Sequence, residues 1–212
     1  MNCKFVIGKY INLPYHLIFN LLLENLTQII KGCIAKDHKY QKIVYEQYRG
    51  FALKTAFRYI YKYDKAVDVV NDSFVKMLNR FDAFRFSDDG ENEKILMGWL
   101  KKIVINTAID QLRKEQMLPE IGGIPETAFA LADNYYNADK AVLYNDIITL
   151  VKQLQPNYRV VFNLYVIDGY SHAEIADLMN TTIGNSKSNL SRARAILQKG
   201  IKKMEESHLC RI

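Results

Sequence analysis

Proline is rare in this chain, with four residues in 212, and no stretch alternates strictly enough between apolar and polar residues to demand a sheet. What is left is helical periodicity, and the fold class it points to is all-α. Cysteine is equally scarce. Cys3, Cys33 and Cys210 are odd in number, widely spaced and without a metal-ligand spacing, which speaks against a disulfide framework or a zinc site and suits a reducing cytosol. Long apolar runs are missing as well. The segment from Ile11 to Ile30 is broken by Pro14, His16, Asn20, Glu24 and Asn25, a poor match to a membrane span of about 20 residues. His16, His38, His172 and His208 share no motif, and the sequence has no nucleophile elbow, phosphate-binding glycine loop or H-E-x-x-H. No catalytic activity, metal or cofactor is expected.

What the chain does have is positive charge, a formal +6 with a pI near 9.0. That balance suits a phosphate-rich partner, although its distribution says more than its sum. The length allows one large domain or two small ones. Residues 1–24 form an extension of uncertain role. Lys4 and Lys9 precede the apolar run Leu17 to Leu23 as in a signal peptide, but no small-residue cleavage site follows cleanly. An additional amphipathic helix and an extension outside the core are the other readings.

Several helices are expected between Asn25 and Glu115: one through Ile29 to Ala35, one or two through Tyr40 to Tyr63, one from Lys65 to Arg80 and one from Ile95 to Glu115. The polar loop Ser87-Asp-Asp-Gly-Glu-Asn-Glu93 interrupts them. The stretch Leu118-Pro-Glu-Ile-Gly-Gly-Ile-Pro125, continuing to about Asn137, breaks helix and reads as a linker. Beyond it, Leu143, Ile147, Leu150, Val151 and Leu154 fall at core spacing. Pro156 stops that helix before another near Tyr158 to Asp168.

The segment from Tyr170 to Arg194 reads as two helices joined by a tight turn. Ser171 and Glu174 make an S-x-x-E capping box before the apolar positions Ile175, Leu178 and Met179. Asn180 tolerates the left-handed conformation of a helix end, and Thr182 is placed to cap the next helix. In that helix Ser186, Leu190, Ala193 and Leu197 share one face, with Asn185, Lys187, Ser188, Ser191 and Arg192 on or toward the other. Between Ile183 and Met204 stand six basic residues and no acid. A solvated basic helix and a helix-turn-helix for DNA are both consistent with this pattern; the capped turn favours the second.

Two more faces carry information. From Ile95 to Glu115, Leu100, Val104, Ala108 and Leu112 form an apolar stripe opposite Lys102, Asn106, Asp110 and Arg113. A cation for phosphate, an amide for a base edge and an Asp–Arg pair suit nucleic-acid contact, or else make an ordinary solvated face. In the helix before it, Val67, Val70, Phe74 and Met77 or Leu78 point one way, while Asp64, Asp68 and Asp72 recur every four residues on the other. Such like charges repel, so the stripe needs solvent or a basic partner. Phe81, Phe84 and Phe86 are either core residues or a stacking surface for bases.

Taken together, Tyr45-Glu-Gln-Tyr48, the segment from Asp68 to Phe74, the Trp99-Leu-x-x-Ile-x-x-Asn106-x-x-x-Asp110-x-x-Arg113 signature and the pattern from Gly169 to Arg194 resemble bacterial RNA polymerase sigma factors of the extracytoplasmic-function type. The resemblance covers roughly Asn25 to Met204. It implies two small helical domains, a region 2 bundle at 25–116 and a region 4 helix-turn-helix at 138–212, joined by a linker at 117–137. It also implies a non-catalytic cytoplasmic subunit that binds core RNA polymerase, recognises the −10 and −35 elements of promoter DNA and promotes initiation. Lys102, Asn106, Asp110 and Arg113 would meet the −10 element, and Asn185, Lys187, Ser188, Asn189 and Arg192 the −35 element. Asp68 and Asp72 would dock on core polymerase. An anti-sigma factor is a further partner, and a membrane-bound one would hold the silent form near the membrane. A helix-turn-helix activator or repressor acting without core polymerase is the alternative. The chain departs from the family pattern at Asn180, usually glycine, at Thr181, usually apolar, and at Ile183, usually acidic, so the −35 sequence does not transfer from relatives.

Overall fold

Among the described residues, most of the apolar positions that recur at helical spacing are buried. The computed structural model describes residues 26–86, 90–115 and 148–209, and among these every regular element is helical. Helix α1 covers residues 26–34, α2 His38–Phe57, α3 Tyr63–Leu78 and α4 Asn92–Lys114, with a short 3₁₀ turn at Phe81–Ala83. After the linker come α5 at residues 148–153, α6 at Pro156–Phe162 running into a π turn at Asn163–Ile167, α7 at His172–Leu178 and α8 at Ile183–Leu209. The extension at 1–24, the linker at 117–137, and the positions of Leu143 and Ile147 lie outside the described residues.

Two compact units interleave along the sequence: Met1–Arg49 with Asp72–Ile103, and Gly50–Asn71 with Val104–Ile212. In the first, Ile30, Cys33, Val44, Phe74, Met77, Phe81, Leu96 and Leu100 are buried. Tyr45 meets Phe74 edge-on at 4.9 Å between ring centroids, and Trp99 lies 5.5 Å from Phe81 and 6.0 Å from Phe84. Phe81 and Phe84 are therefore core, whereas Phe86, 41% exposed, is held edge-on to Phe84. Tyr48 is buried and donates to Glu93 Oε1 at 3.3 Å; burial first, and then the nearby carboxylate, push its phenol far above the ordinary range.

In the same unit α1 and α2 approach so closely that a Cβ on Gly32 would stand 2.1 Å from Tyr40 Cδ2 and 2.3 Å from its Cγ. Those atoms lie at the root of the ring, so the whole side chain would have to leave, together with its bond from Gln28 Nε2. Gly32→Ala should cost about 1–2 kcal/mol, overpacking outweighing the better helix propensity of alanine. Chemical denaturation gives the number, and an unchanged midpoint would show that Tyr40 repacks freely.

The second unit buries Ala56, Tyr59, Ile60, Val70, Val104, Ile105, Ala108, Ile109 and Leu112, and in its later helices Val151, Leu154, Val160, Val161, Leu164, Ile175, Leu190, Ala193 and Leu197. Val151, Leu154, Ala193 and Leu197 make one cluster, packed by Leu150, Tyr158 and Phe162. On α3 the inward face differs by part of a turn from the periodicity reading. Val67 is half-buried, and Ala66 and Val69 are buried instead. Val67 and Val69 lie on opposite sides of Val70 around the helix, so the apolar stripe can shift toward either, and packing chooses one.

The helix expected from Tyr158 to Asp168 also differs. It starts at Pro156, in the first-turn position where a missing N–H costs nothing. After Phe162 it widens: Asp168 N–H reaches back to Asn163 O at 2.9 Å, five residues away. Gly169, at φ 77°, then turns the chain toward α7. The widened turn faces the corner between α2 and α3. Arg58 Nη2 donates to Asp168 Oδ1 at 2.9 Å, the Tyr59 hydroxyl donates to Asp168 Oδ2, and Asn163 Nδ2 donates to the Arg58 carbonyl. Beside them the Arg159 guanidinium lies 4.4 Å from the centre of the Tyr61 ring.

Candidate nucleic-acid interface

The turn between α7 and α8 forms as its residues dictate. Ser171 Oγ accepts from the Glu174 N–H at 3.2 Å, and Glu174 Oε2 accepts from the Ser171 N–H at 2.8 Å, completing the capping box. Asn180 takes φ 49°, and Thr182 Oγ1 accepts from the Asn185 N–H at 3.1 Å, capping α8. All four inward positions, Ser186, Leu190, Ala193 and Leu197, are buried.

With the inward stripe fixed, a rotation of about 100° per residue places the other side chains. Ser188 and Arg192 lie near the pole opposite the core. Lys187 falls on one flank and Asn185 and Asn189 on the other. Lys187, Asn185 and Arg192 are exposed, whereas Ser188 and Asn189 are half-buried. Asn185 Nδ2 donates to Thr181 Oγ1 at 3.1 Å, which ties it to the turn. The five candidates thus share one basic helix but wrap more than half of its circumference, so a single groove meets them in two rows.

Periodicity gave no sign of a cluster beside Lys187. The Tyr165 and His172 rings stack at 4.5 Å, Arg194 sits 5.7 Å from the Tyr165 centroid, and His172 Nδ1 lies 2.9 Å from the buried Ser186 Oγ. Desolvation, followed by the charges of Lys187 and Arg194, lowers the His172 pKa below its ordinary value. The folded chain therefore favours the neutral ring, while the unfolded chain takes up a proton as pH falls through about 6.5. Stability from this group is fully present above that range and is lost as pH drops. The urea midpoint should fall between about pH 7.5 and about pH 5.5, and the fall should shrink in His172→Gln. An identical slope in both proteins would assign the dependence elsewhere.

On α4, Lys102, Asn106, Asp110 and Arg113 occupy successive turns. Leu100, Val104, Ala108 and Leu112 are buried, and Ile105, Thr107 and Ile109 join them. Lys102 is exposed, and Asn106, Asp110 and Arg113 are half-buried. Arg113 Nη2 pairs with Asp110 Oδ1, and Arg113 Nη1 donates to the Leu178 carbonyl at 3.2 Å. Neither Lys102 nor Asn106 has a side-chain partner among the described residues, so both are available to a ligand.

On α3, Asp64, Asp68 and Asp72 are all exposed, and none has an ion pair among the described residues. Lys65, next to Asp64, reaches Glu115 instead, and that hydrogen bond is the main reason the Glu115 carboxyl sits below its ordinary range. Among the described residues no cation pairs with the acidic stripe.

Residues 44–117 match the family model described as Sigma-70 region 2, and residues 144–197 the model described as Sigma-70, region 4. The chain is 24% identical over 192 residues to the ECF RNA polymerase sigma factor SigW of Bacillus subtilis (strain 168), covering 86% of this chain and 97% of that one. It is 27% identical over 184 residues to the ECF RNA polymerase sigma-E factor of Salmonella typhimurium (strain 14028s / SGSC 2262), covering 81% and 92%. Among solved structures, the sigma factor RpoE from Bartonella quintana, crystallised with the anti-sigma factor NepR, aligns with a TM-score of 0.48 at 25% identity, over 76% of this chain and 96% of that one.

Proposed function

Because this chain belongs to the extracytoplasmic-function group of the sigma-70 family, we propose that it is a promoter-specificity subunit: it binds core RNA polymerase, recognises the −10 and −35 elements and promotes initiation. The observation that carries this reading is the presence on one chain, in order, of the region 2 and region 4 matches, each with a charged surface suited to its task. We assign residues 25–116 to core binding and the −10 element, and 138–212 to the −35 element. Asp68 and Asp72 offer exposed acid to a basic face of polymerase. Lys102 meets phosphate, Asn106 a base edge, and Asp110 with Arg113 the frame beside it. Lys187 and Arg192 supply cations at the −35 groove, with Asn185, Ser188 and Asn189 as polar contacts.

The chain performs no chemistry in this role; its work is binding and placement, and it needs no cofactor. No helix among the described residues is long and apolar enough to cross a membrane; the proposed site of action is the cytoplasm. An anti-sigma factor is the expected regulator. An activator or repressor independent of polymerase would use residues 144–197 and leave the match at 44–117 without a purpose.

Run-off transcription with purified core polymerase on genomic fragments tests the proposal. Discrete new start sites that require the chain establish it. Specific duplex binding by the chain alone, with no core binding and no new starts, would overturn it.

A further inference from the structure

Lys187 and Arg194 are exposed on the same flank of α8. Seven residues at about 100° each return to within about 20° of the starting direction and advance about 10 Å along the axis. His172, the first residue of α7, packs against this flank. Its ring stacks on Tyr165 of the π turn at 4.5 Å, and the Arg194 guanidinium lies 5.7 Å from the Tyr165 centroid. His172 Nδ1 lies 2.9 Å from the buried Ser186 Oγ, while Nε2 has no partner among the described residues. A hydroxyl both donates and accepts, so Ser186 holds the ring in place whether or not Nδ1 carries a proton.

The charges facing the ring are cationic. Lys187 and Arg194 come from α8, and the π turn adds only the Tyr165 phenol. On α7 itself the acids are Glu174, engaged by Ser171, and Asp177. They emerge about 160° and about 140° away from His172 around the axis. Burial, and then Lys187 and Arg194, therefore favour the neutral ring in the free chain. An anion brought to the same two cations reverses that balance, since an opposite charge within about 4–6 Å favours the protonated form.

A helix about 10–12 Å across fills a major groove about 12 Å wide, so its flanks face the two phosphate rows. With the pole at Ser188 and Arg192 toward the bases, the flank carrying Lys187, Arg194 and His172 meets one of those rows. We propose that His172, with Lys187 and Arg194, forms a proton-linked contact to a phosphate of the −35 duplex: the ring takes up a proton as DNA binds, and promoter engagement strengthens with acidity. The inference rests on the assignment of α8 to the −35 element made above.

The sign follows from linkage. Protons bind the ring more tightly in the complex than in the free chain, so affinity for DNA rises as pH falls from about 8 to about 6. The free fold loses stability in the same direction, and DNA offsets that loss by binding the folded state.

The test uses a labelled duplex of about 30 base pairs at low salt, with the full-length chain alone and bound to core polymerase. Between about pH 8 and about pH 6 the parent's affinity should rise about fivefold relative to that of His172→Gln, and its salt slope should steepen by about one phosphate contact. His172→Arg, a fixed charge on a planar group that can stack on Tyr165, should bind at both pH values as the parent does in acid. In the parent, the His172 ring resonance should titrate at higher pH with duplex than without it. Inorganic phosphate at the same phosphate concentration should leave that titration in place; an equal displacement would overturn the assignment to DNA. A titration unmoved by saturating duplex would overturn the contact without recourse to any variant. A ratio of parent to His172→Gln affinity that is constant with pH marks a purely structural role and overturns the proposal, as does absence of duplex binding in both settings. Proton-linked duplex binding without chain-dependent transcription starts would count against the function proposed above and leave the contact standing.

Discussion

Replacing Asp68 and Asp72 together with lysine is expected to weaken binding to core RNA polymerase at least tenfold while leaving the fold intact. Both carboxylates are exposed on α3 without an ion pair among the described residues, and Asp64 continues the stripe one turn earlier. As neighbours on one stripe they repel one another, by about a few tenths of a kcal/mol per neighbouring pair. The double variant should therefore melt no lower than the parent, and slightly higher if the repulsion is relieved. Against a basic partner the sign reverses. Charge pairs at a desolvated interface have coupling energies of about 1.5–7 kcal/mol, and replacing attraction by repulsion at two positions exceeds the tenfold threshold of about 1.4 kcal/mol. The affinity of labelled chain for core, measured at low and high salt, decides the matter. The parent should lose affinity with salt and the variant should not. Equal affinities for the two proteins at low salt would remove the acidic stripe from the interface.

Asn106→Ala is expected to separate assembly from opening: core binding unchanged, productive initiation reduced by about 10- to 100-fold. Asn106 sits half-buried on α4, one turn from Lys102 and one turn from Asp110, and its amide has no partner among the described residues. An amide can donate and accept at once, so it matches a base edge in a way alanine cannot, and such a contact discriminates by about 1–3 kcal/mol. The substitution deletes no core packing, so a folding defect is not the expected cause. Lys102→Ala should behave differently, weakening all promoters alike and reducing the salt dependence by about one phosphate contact. Full initiation by Asn106→Ala from the promoters that the parent uses would exclude this residue from base recognition. Reduced core binding would move its role to the polymerase interface.

The parts of this fold that were legible in the sequence are those fixed by local chemistry. The capping box at Ser171 and Glu174, the positive φ at Asn180, the Thr182 cap and the buried stripe from Ser186 to Leu197 each depend on residues within a turn or two. Their spacing is therefore sufficient to read them. On α4 the apolar stripe was visible, but Ile105, Thr107 and Ile109 are buried too, because neighbours surround that helix on more than one side and an amphipathic pattern records only one. Val67 lost its inward place to Val69 for a related reason: identical side chains on either side of Val70 leave the helix's rotation to tertiary packing. The candidate site residues could be placed on faces from sequence, yet their engagement could not. Nothing in the string shows that Arg113 would spend a donor on Leu178, or that Asp168 would sink beneath Arg58, since both depend on pairs far apart along the chain. The Tyr165, His172 and Arg194 cluster is hidden for the same reason.

The widened turn at Asn163–Ile167 has a consequence for tolerance to change of length. A π turn holds one residue more than an α-helix passing through the same space, and that surplus residue sets the rotation at which Asn163 and Asp168 emerge. Removing a single residue there, Val166 for instance, would let the helix run on regularly while turning everything after it by about 100°. Asp168 would then face away from Arg58 and Tyr59, and the course of the chain into Gly169 and α7 would be misdirected. Val166 and Ile167 are exposed, so substitutions at these two positions should pass quietly where a one-codon deletion does not. A scan of deletions beside a scan of substitutions would thus show opposite profiles at Val166 and Ile167, marking them as positions where backbone length, rather than side-chain identity, is under constraint.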